Sequence, residues 1–333
     1  MRALKMHKLL CDYFLGITLV VSTLLGNALH AETWTLPRTA QGNPDLQGIW
    51  TNASVTGLQR PKQFKQLLLS EQQAKRWEAE TSGFFESIDD VPEEGVEAGG
   101  DVGGYNSFWL DPGTKAMRVN GEIRSSILTS PANGQLPFRL GARFKLFQFL
   151  LQDAMDGPEQ RLLGERCLMG FGSTAGPPML PVVYNNHYQI VQSPGHVMIL
   201  VEMIHDARIV RLEGEHVADV IRPWLGDSIG HWQDDTLVVE TKNFNPGQSF
   251  RAGLRSQYYL SSIAKVTERF TRVSAEEIVY QFTVDDPGAY SEKWTGEMSL
   301  RQAKGPIYEY ACHEGNYAMS GIMKGARLEE SEQ

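Results

Sequence analysis

The sequence predicts a mainly β protein, in which an antiparallel meander closes into a barrel or a strongly curved sheet. A few helices from the N-terminal half are expected to pack on it. Beyond residue 182, short runs rich in β-branched and aromatic residues follow one another, and turn-forming residues separate them at hairpin spacing. A sheet of such strands must close or be covered to protect its edges, which favours the barrel.

The strands of the second half are predicted between clear turn signals such as Pro194-Gly195, Asp234-Asp235 and Asp286-Pro287-Gly288. These turns bound short runs of strand-forming residues at hairpin spacing. The predicted strands are 188–192, 197–203, 208–212, 236–241, 265–272, 278–284, 294–301 and 307–312.

The first half of the chain carries the helix signals. Ser70 and Gln73 form a capping-box pattern, which predicts a helix that runs through Trp77. Apolar residues at helical spacing predict a second helix over 139–155, and we expect its stripe to serve core or interface packing. A strand is predicted over 123–129. The glycine- and proline-rich stretch 170–181 either joins two subregions or forms the lip of a pocket.

Residues 77–114 contain no Lys or Arg but many acidic residues. We expect a solvated loop there, and a calcium site is the alternative. The order of the acidic residues does not follow the pattern of a known calcium loop.

The first 31 residues read as a secretory signal, with a basic start before an apolar run that is too short to span a bilayer comfortably. We therefore expect a periplasmic or secreted chain without membrane insertion. Residues 32–181 would then be an N-terminal region and 182–333 a β-rich region of one unit. The mature chain has 28 Lys and Arg against 39 Asp and Glu, a net charge of −11, which argues against nucleic-acid and anionic-membrane partners.

Two cysteines, Cys167 and Cys312, lie beyond the signal. In an oxidising compartment an even pair favours a disulfide bond. The alternative is two separate buried thiols.

Three polar clusters carry the candidate chemistry, and we expect them to meet in one pocket: residues 202–208, 227–232 and 308–317. Imidazole–carboxylate pairs transfer protons near neutral pH, and a guanidinium stabilises developing negative charge. The candidate catalytic residues are His205, Asp206, Arg208, His231 and His313. The residues expected to contact the substrate are Glu202, Tyr184, Asn186, Trp232, Glu314, Asn316 and Tyr317.

Each cluster also has a structural interpretation. His205, Asp206 and Arg208 could simply close a hairpin by hydrogen bonds, and His313 could be a surface residue beside a disulfide bond. Of the other histidines, His196 and His216 are expected at the surface. His187 follows a polar patch that could line the mouth of a pocket.

Residues 226–230 match G-x-S-x-G, the pattern of a hydrolase nucleophile elbow. The elbow needs a strand before the serine and a helix after it. Because another strand is predicted after Trp232, we interpret the segment around Ser228 as a turn. No metal-binding or cofactor-binding motif occurs, so no cofactor is expected. The sequence leaves open whether a metal is bound, because a site built from His205, His231 and His313 would need distant segments to converge.

Gly48-Ile49-Trp50 resembles the G-x-W start of lipocalin-like barrels. The resemblance implies that Trp50 plugs the barrel bottom and that a late arginine, with Arg301 as the candidate, packs over it. The long insert between residues 60 and 180 departs from a plain lipocalin. Separately, segments 44–50, 165–168, 202–208, 224–244 and 308–317 resemble a family of exported bacterial proteins of uncharacterised function, which implies no particular reaction.

These observations predict a cofactor-independent acid–base enzyme of the lyase, isomerase or cyclase type, acting on a small, largely apolar molecule. The alternative is a periplasmic, lipocalin-like binding protein without catalysis. A third possibility is a serine hydrolase that uses Ser228. The sequence leaves the oligomeric state open.

Overall fold

Strands dominate the part of the chain that the computed structural model describes, which comprises residues 34–87, 110–150, 157–170, 172–174, 176–248, 250–253, 256–314 and 317–332. The predicted signal and most of the acidic stretch lie outside these residues. In chain order the elements are β1 (Gly48–Thr51), β2 (Leu68–Leu69), α1 (Glu71–Ser87), β3 (Arg118–Val119), β4 (Glu122–Arg124), β5 (Leu128–Ser130), α2 (Leu140–Leu150), β6 (His187–Ser193), β7 (His196–Val201), β8 (Ala207–Leu212), β9 (Asp227–Gln233), β10 (Thr236–Lys242), β11 (Phe250–Gly253), β12 (Ser256–Tyr259), β13 (Lys265–Arg272), β14 (Glu277–Asp285), β15 (Trp294–Gln302) and α3 (Ala318–Glu332).

Nine strands close into a barrel, which confirms the predicted fold class. Their order is β1, β6, β7, β8, β9, β10, β13, β14 and β15, and β15 pairs with β1 again. The expectation of a purely antiparallel meander is wrong, because β8 and β9 are parallel. A ring with an odd number of strands cannot alternate in direction all the way round, so at least one pair has to be parallel.

The strand predictions of the second half are largely confirmed, with three differences. Strands β11 and β12, which form a separate hairpin, were not predicted. Residues 307–312, predicted as a strand, lie in a segment without helix or strand. The segment around Ser228, predicted as a turn, is part of β9. In the first half, the strand predicted over 123–129 is split between β4 and β5.

The barrel interior is filled by large side chains. Phe270, Tyr280, Phe282 and Trp294 are each at most 2 % exposed. Gly296 faces this aromatic layer, where an added Cβ would lie 2.3 Å from the Phe282 ring, so the ring occupies the space that a side chain would need. The interior is therefore a packed core at this level.

Trp50, at the barrel start, is 1 % exposed, and its Nε1 donates to the Leu46 carbonyl oxygen at 2.9 Å. The arginine over its ring is Arg272, whose Cζ lies 5.2 Å from the ring centroid. The resemblance implied Arg301 instead, but that guanidinium donates to the Ala53 carbonyl at 3.1 Å.

The glycine- and proline-rich segment packs onto the barrel interior. Met179 and Leu180 are fully buried, and the Met179 backbone N–H donates to the Tyr280 hydroxyl at 3.0 Å. Arg251, itself 2 % exposed, donates to the Gly176 carbonyl at 2.9 Å. The described part of this segment therefore forms a covering layer, a role that was not among the two expected for it.

One end of the barrel gathers the loops that matter below. The strand directions place the starts of β6, β8, β9, β13 and β15 at this end, together with the ends of β7, β10 and β14. We call it the open end. Helix α2 is attached here, because the Arg139 backbone N–H donates to the Ala289 carbonyl at 2.8 Å in the β14–β15 loop.

Candidate active site at the open end

The β6–β7 hairpin brings a histidine and a glutamate together at the open end. The chain leaves β7 at Val201 and turns into a short helix, so Glu202 adopts a helical backbone and its side chain can reach across the hairpin. Its Oε2 lies 3.0 Å from His187 Nδ1. Glu202 is 4 % exposed, whereas the His187 side chain is 26 % exposed.

The Glu202 carboxylate is held in place from several sides. Its Oε1 accepts the backbone N–H of Tyr308 at 3.2 Å, and the Asn185 side chain also hydrogen-bonds to it. Burial alone would raise the pKa of Glu202, but the hydrogen bonds from His187, Tyr308 and Asn185 lower it below its usual range. The group is therefore a fixed carboxylate at neutral pH.

The hydrogen bond to Glu202 raises the pKa of His187 above its usual range, although burial opposes this change. Because Nδ1 bonds the carboxylate, the imidazole orientation is fixed, as in other histidine–carboxylate pairs. Its Nε2 makes no hydrogen bond within the described part of the chain. This nitrogen is the one that can exchange a proton with a bound molecule.

Two phenols lie in the same region. The phenols of Tyr184 and Tyr310 are close enough to interact, and burial raises the pKa of Tyr184 to about 12. Both phenols therefore stay protonated near neutral pH and can donate to an oxygen. Tyr184 was expected to contact the substrate, whereas Tyr310 was not among the candidates.

The Cys167–Cys312 disulfide bond, predicted from the sequence, joins the tail that carries Tyr308 and Tyr310 to the segment before the covering layer. The tail also pairs through the Ala303 backbone N–H, which donates to the Ile49 carbonyl at 2.9 Å. The predicted polar cluster of the tail thus reaches the β6–β7 hairpin although it forms no strand.

The loop between β7 and β8 holds a strained residue. Ile204 has a φ of +59°, a left-handed conformation that a β-branched side chain rarely adopts. Strain of this kind costs of the order of 1–3 kcal/mol and tends to occur at functional sites. The loop is closed by the Val201 backbone N–H, which donates to the Asp206 carbonyl at 2.8 Å. His205 lies in this loop, but its side chain is outside the described part of the structure.

An open cleft of about 340 Å³ lies where β8 extends beyond the start of β9. It brings together residues of two predicted clusters, Asp206, Arg208 and Ser228. Most of the remaining lining is apolar: Leu168, Met169, Ala207, Ile209, Pro223, Trp224, Leu225 and Gly226. The cleft neighbours Cys167, so the disulfide bond connects its wall to the tail.

The Arg208 side chain faces the barrel interior and not the solvent. It is 2 % exposed, and both of its terminal nitrogens bond the Glu268 carboxylate, with Nη1 to Oε1 at 3.0 Å. The Tyr280 hydroxyl donates to Glu268 Oε1 at 2.7 Å. The guanidinium is thus an element of a buried ionic network, and only its edge reaches the cleft wall.

The remaining candidates are spread over other places. His231 is exposed on β9, and His313, Glu314 and Tyr317 are exposed in or beside the tail. No hydrogen bond or ion pair among the described residues joins His231 to His313. Trp232 is partly buried against the core, and Asn316 lies outside the described residues.

Asn186, predicted to contact the substrate, is fully buried and organises the loop before β6. Its Oδ1 accepts the Val182 backbone N–H at 2.9 Å, and its Nδ2 donates to the Asp111 carbonyl at 3.0 Å. These bonds fix the backbone that precedes His187.

Ser228 does not sit on an elbow. It lies inside β9, is 5 % exposed, and its hydroxyl bonds the Thr241 hydroxyl at 2.8 Å on the neighbouring strand. Because β9 continues past it into a hairpin with β10, the strand–turn–helix context of a nucleophile is missing.

One further histidine differs from expectation. The His216 side chain, predicted at the surface, is 7 % exposed, and its Nδ1 lies 2.7 Å from Asp227 Oδ2. Burial alone would raise the pKa of Asp227, but hydrogen bonds from Arg211 and His216 lower it to about 2. This cluster ties the long β8–β9 connection to the start of β9.

Within the described ranges, no group of three or more His, Cys, Asp or Glu side chains is placed to hold a metal ion. The helices of the same ranges are too short or too polar to cross a bilayer. No protein-family model, curated protein or solved structure matches the chain.

Proposed function

We propose that this protein is an exported acid–base enzyme that moves a proton on a small, largely apolar molecule, and that His187 is its base. The observation that carries the proposal is the buried Glu202 carboxylate 3.0 Å from Nδ1 of a partly exposed imidazole. This base replaces His205, His231 and His313 of the sequence-based hypothesis.

The chemistry follows from the two partners. Nε2 of His187 accepts a proton from the substrate, and the imidazolium that forms is stabilised by Glu202. The negative charge left on the substrate is stabilised by hydrogen bonds from neutral phenols, a role that suits Tyr184 and Tyr310. Returning the proton to a different atom gives an isomerisation, and loss of a leaving group gives an elimination.

Two features support export and an apolar substrate. A disulfide bond is typical of chains that fold in an oxidising compartment. The cleft at the same end of the barrel combines apolar residues with Asp206, Arg208 and Ser228, and small-molecule sites often combine apolar walls with a few polar groups.

Hydrogen–deuterium exchange tests the proposal without knowledge of the product. The protein is incubated in D₂O with a panel of apolar ketones, aldehydes and esters, and carbon-bound deuterium is measured by mass spectrometry. We expect at least one compound to exchange. The exchange should be lost in His187→Ala and strongly reduced in Glu202→Gln, because a general base contributes roughly 10²–10⁴-fold.

His196→Ala is the matched control, since His196 is exposed on the β6–β7 turn and should leave the exchange unchanged. Exchange that survives in His187→Ala, or that depends on His231 or His313, would contradict the assignment of the base.

A binding protein without catalysis is the second candidate, and the apolar cleft is the observation that favours it. Under this alternative a ligand is bound in the cleft and recovered unchanged, and Trp224→Ala weakens binding while His187→Ala does not. An enzyme should lose deuterium exchange in His187→Ala, whereas a binding protein should lose ligand affinity in Trp224→Ala and keep it in His187→Ala.

A further inference from the structure

Helix α2 carries an exposed apolar stripe. Leu140 is 85 % exposed, Phe144 57 % and Phe147 55 %. Their spacing of four and three residues places them on one side of the helix. Ala142, about half a turn from this stripe, is 3 % exposed and faces the protein. Phe144 and Phe147 belong to the stripe that was expected to serve packing, and both point into the solvent. The side chains of its other members, Leu150, Leu151 and Ala154, lie outside the described part of the structure.

Positive charge accompanies the stripe. Arg139, Arg143 and Lys145 are exposed, and no Asp or Glu occurs between residues 139 and 152. Arg143 flanks the stripe, whereas Arg139 Nε donates to the Tyr290 carbonyl oxygen at 2.8 Å and Lys145 Nζ lies 5.7 Å from the Tyr259 ring centroid. The whole chain has a net charge of −9, so the sign of this segment is opposite to that of the protein. The negative net charge of the whole chain disfavours anionic membranes, but the local charge of this helix is positive.

Another exposed apolar side chain, Ile263, lies beside the helix. Ile263 is 64 % exposed, and its Cδ1 lies 3.5 Å from the position that a Cβ on Gly288 would take. Gly288 precedes Ala289, whose carbonyl oxygen accepts the Arg139 N–H at the start of α2. The stripe and Ile263 therefore belong to one region of the open end.

We propose that α2 and Ile263 form a surface that binds an anionic lipid bilayer, with the helix lying in the plane of the interface. Aromatic and leucine side chains enter the headgroup boundary, and Arg143, which flanks the stripe, contacts lipid phosphates, as in other interfacial helices. Arg139 and Lys145 add positive charge near the same surface. The proposal does not depend on the proposed enzyme function.

The charges favour a lipid surface over a second copy of the chain. A two-fold dimer through this face would bring the same patch of both copies together. Arg143 of one copy would then lie near Arg143 of the other, with Arg139 and Lys145 close by and no carboxylate in the helix to offset the charge. An anionic bilayer complements the apolar stripe and the cations at the same time.

Vesicle sedimentation tests the proposal with the full chain. We expect the protein to bind vesicles of phosphatidylcholine mixed with phosphatidylglycerol. Binding to phosphatidylcholine alone should be weaker, and binding to the mixed vesicles should fall as salt is added. Phe144→Ser combined with Phe147→Ser should weaken binding at least about tenfold, because both rings are exposed and contribute apolar area.

Arg143→Glu combined with Lys145→Glu should also reduce binding, by roughly fivefold or more for each charge removed. Leu328→Ser is the control, because Leu328 is 56 % exposed on α3 and should not contribute. Lack of binding to the mixed vesicles, or equal binding by the α2 variants, overturns the proposal. A solution dimer that the two Phe substitutions abolish also overturns it, since a second copy would then cover the stripe.

Discussion

The most deeply buried ion pair of the described barrel, Arg208 with Glu268, lies in the interior, where both side chains are at most 1 % exposed. Two charges removed from water keep their interaction only when both are present, and deletion of one leaves the other uncompensated. The Tyr280 hydroxyl, which donates to the same carboxylate at 2.7 Å, would also lose its charged acceptor. The pair thus makes the barrel sensitive to either substitution.

Glu268→Gln is therefore expected to destabilise the protein by about 3–5 kcal/mol, measured as the free energy of unfolding in urea. The chain offers a matched control in Glu71, which bonds Arg118 with two contacts of 2.8 Å at the surface. Glu71→Gln should change the stability little, because water solvates both groups. Equal effects of the two substitutions would show that burial does not govern the energy of the pair.

The central residues of the site were only partly foreseen from the sequence. Glu202 and Tyr184 were among the candidates, whereas His187 was placed only at a pocket mouth. The register of the hairpin contains the missing information: Ser193 pairs with His196 across the Pro194-Gly195 turn. Seven pairs from the turn, His187 stands opposite Glu202. In the sequence, His205 is the histidine nearest to Glu202, whereas the histidine that bonds Glu202 lies across the hairpin.

Helix α1 begins where the capping box predicts it. The Ser70 backbone N–H donates to Gln73 Oε1 at 2.9 Å, and the Gln73 N–H donates to Ser70 Oγ at 3.3 Å. These bonds satisfy two groups that a helix start would otherwise leave unpaired.

Ser70→Ala should therefore destabilise the protein by about 1 kcal/mol in a denaturant titration, because the Gln73 N–H loses its acceptor. Gln72→Ala is the control, since this exposed position takes no part in the capping box. A loss in Gln72→Ala as large as that in Ser70→Ala would argue against the capping contribution.

Other elements were harder to predict for physical reasons. Strands β10, β13 and β14 can be identified directly from the sequence, because they are rich in β-branched and aromatic residues. Buried and more exposed positions alternate along most of each strand. In β9 the interior positions are Ser228 and Gly230, small residues without a hydrophobic signal. The tail at 307–312 has a strand-like composition, yet the disulfide bond and the Tyr308 backbone contact hold it without a strand partner.

At the scale of the whole molecule, the closure of the sheet could be predicted from the sequence. The directions of its strands could not. Many short strands with exposed edges favour a barrel. The ring contains nine strands, a number that the turn signals do not fix, and a ring with an odd number of strands requires a parallel pair. The 14 residues between β8 and β9 are long enough to return the chain to the start of the barrel. A connection of this length was the available signal for the parallel pair.

The disulfide bond joins cysteines that are 145 positions apart in the sequence, and the loop that it closes contains β6 to β15. Closing so long a loop restricts the unfolded chain, for which the chain-entropy model gives up to about 5 kcal/mol. Replacing both cysteines by serine should lower the urea midpoint accordingly, and a reducing agent should reproduce the effect in the unmodified protein. An unchanged midpoint in both experiments would show that the bond does not contribute to the stability of the barrel.

The His187–Glu202 pair also links stability to pH. Since the pKa of His187 is raised on folding, its contribution is present below the unfolded value of about 6.5 and is lost as the pH rises through the folded value. The pKa of Glu202 is lowered, so its contribution is present above about 4.3 and is lost as the pH falls through the folded value. Between about pH 4.3 and pH 6.5, both contributions to the free energy of unfolding are fully present.

The most direct test of the central claim is an NMR titration of the His187 ring nitrogens in the native protein and in Glu202→Gln. The account predicts a pKa above the ordinary histidine range in the native protein and a lower pKa in the variant, with Nδ1 as the protonated nitrogen of the neutral ring. A His187 pKa that is not raised in the native protein, or that Glu202→Gln leaves unchanged, would contradict the pairing on which the proposed base depends.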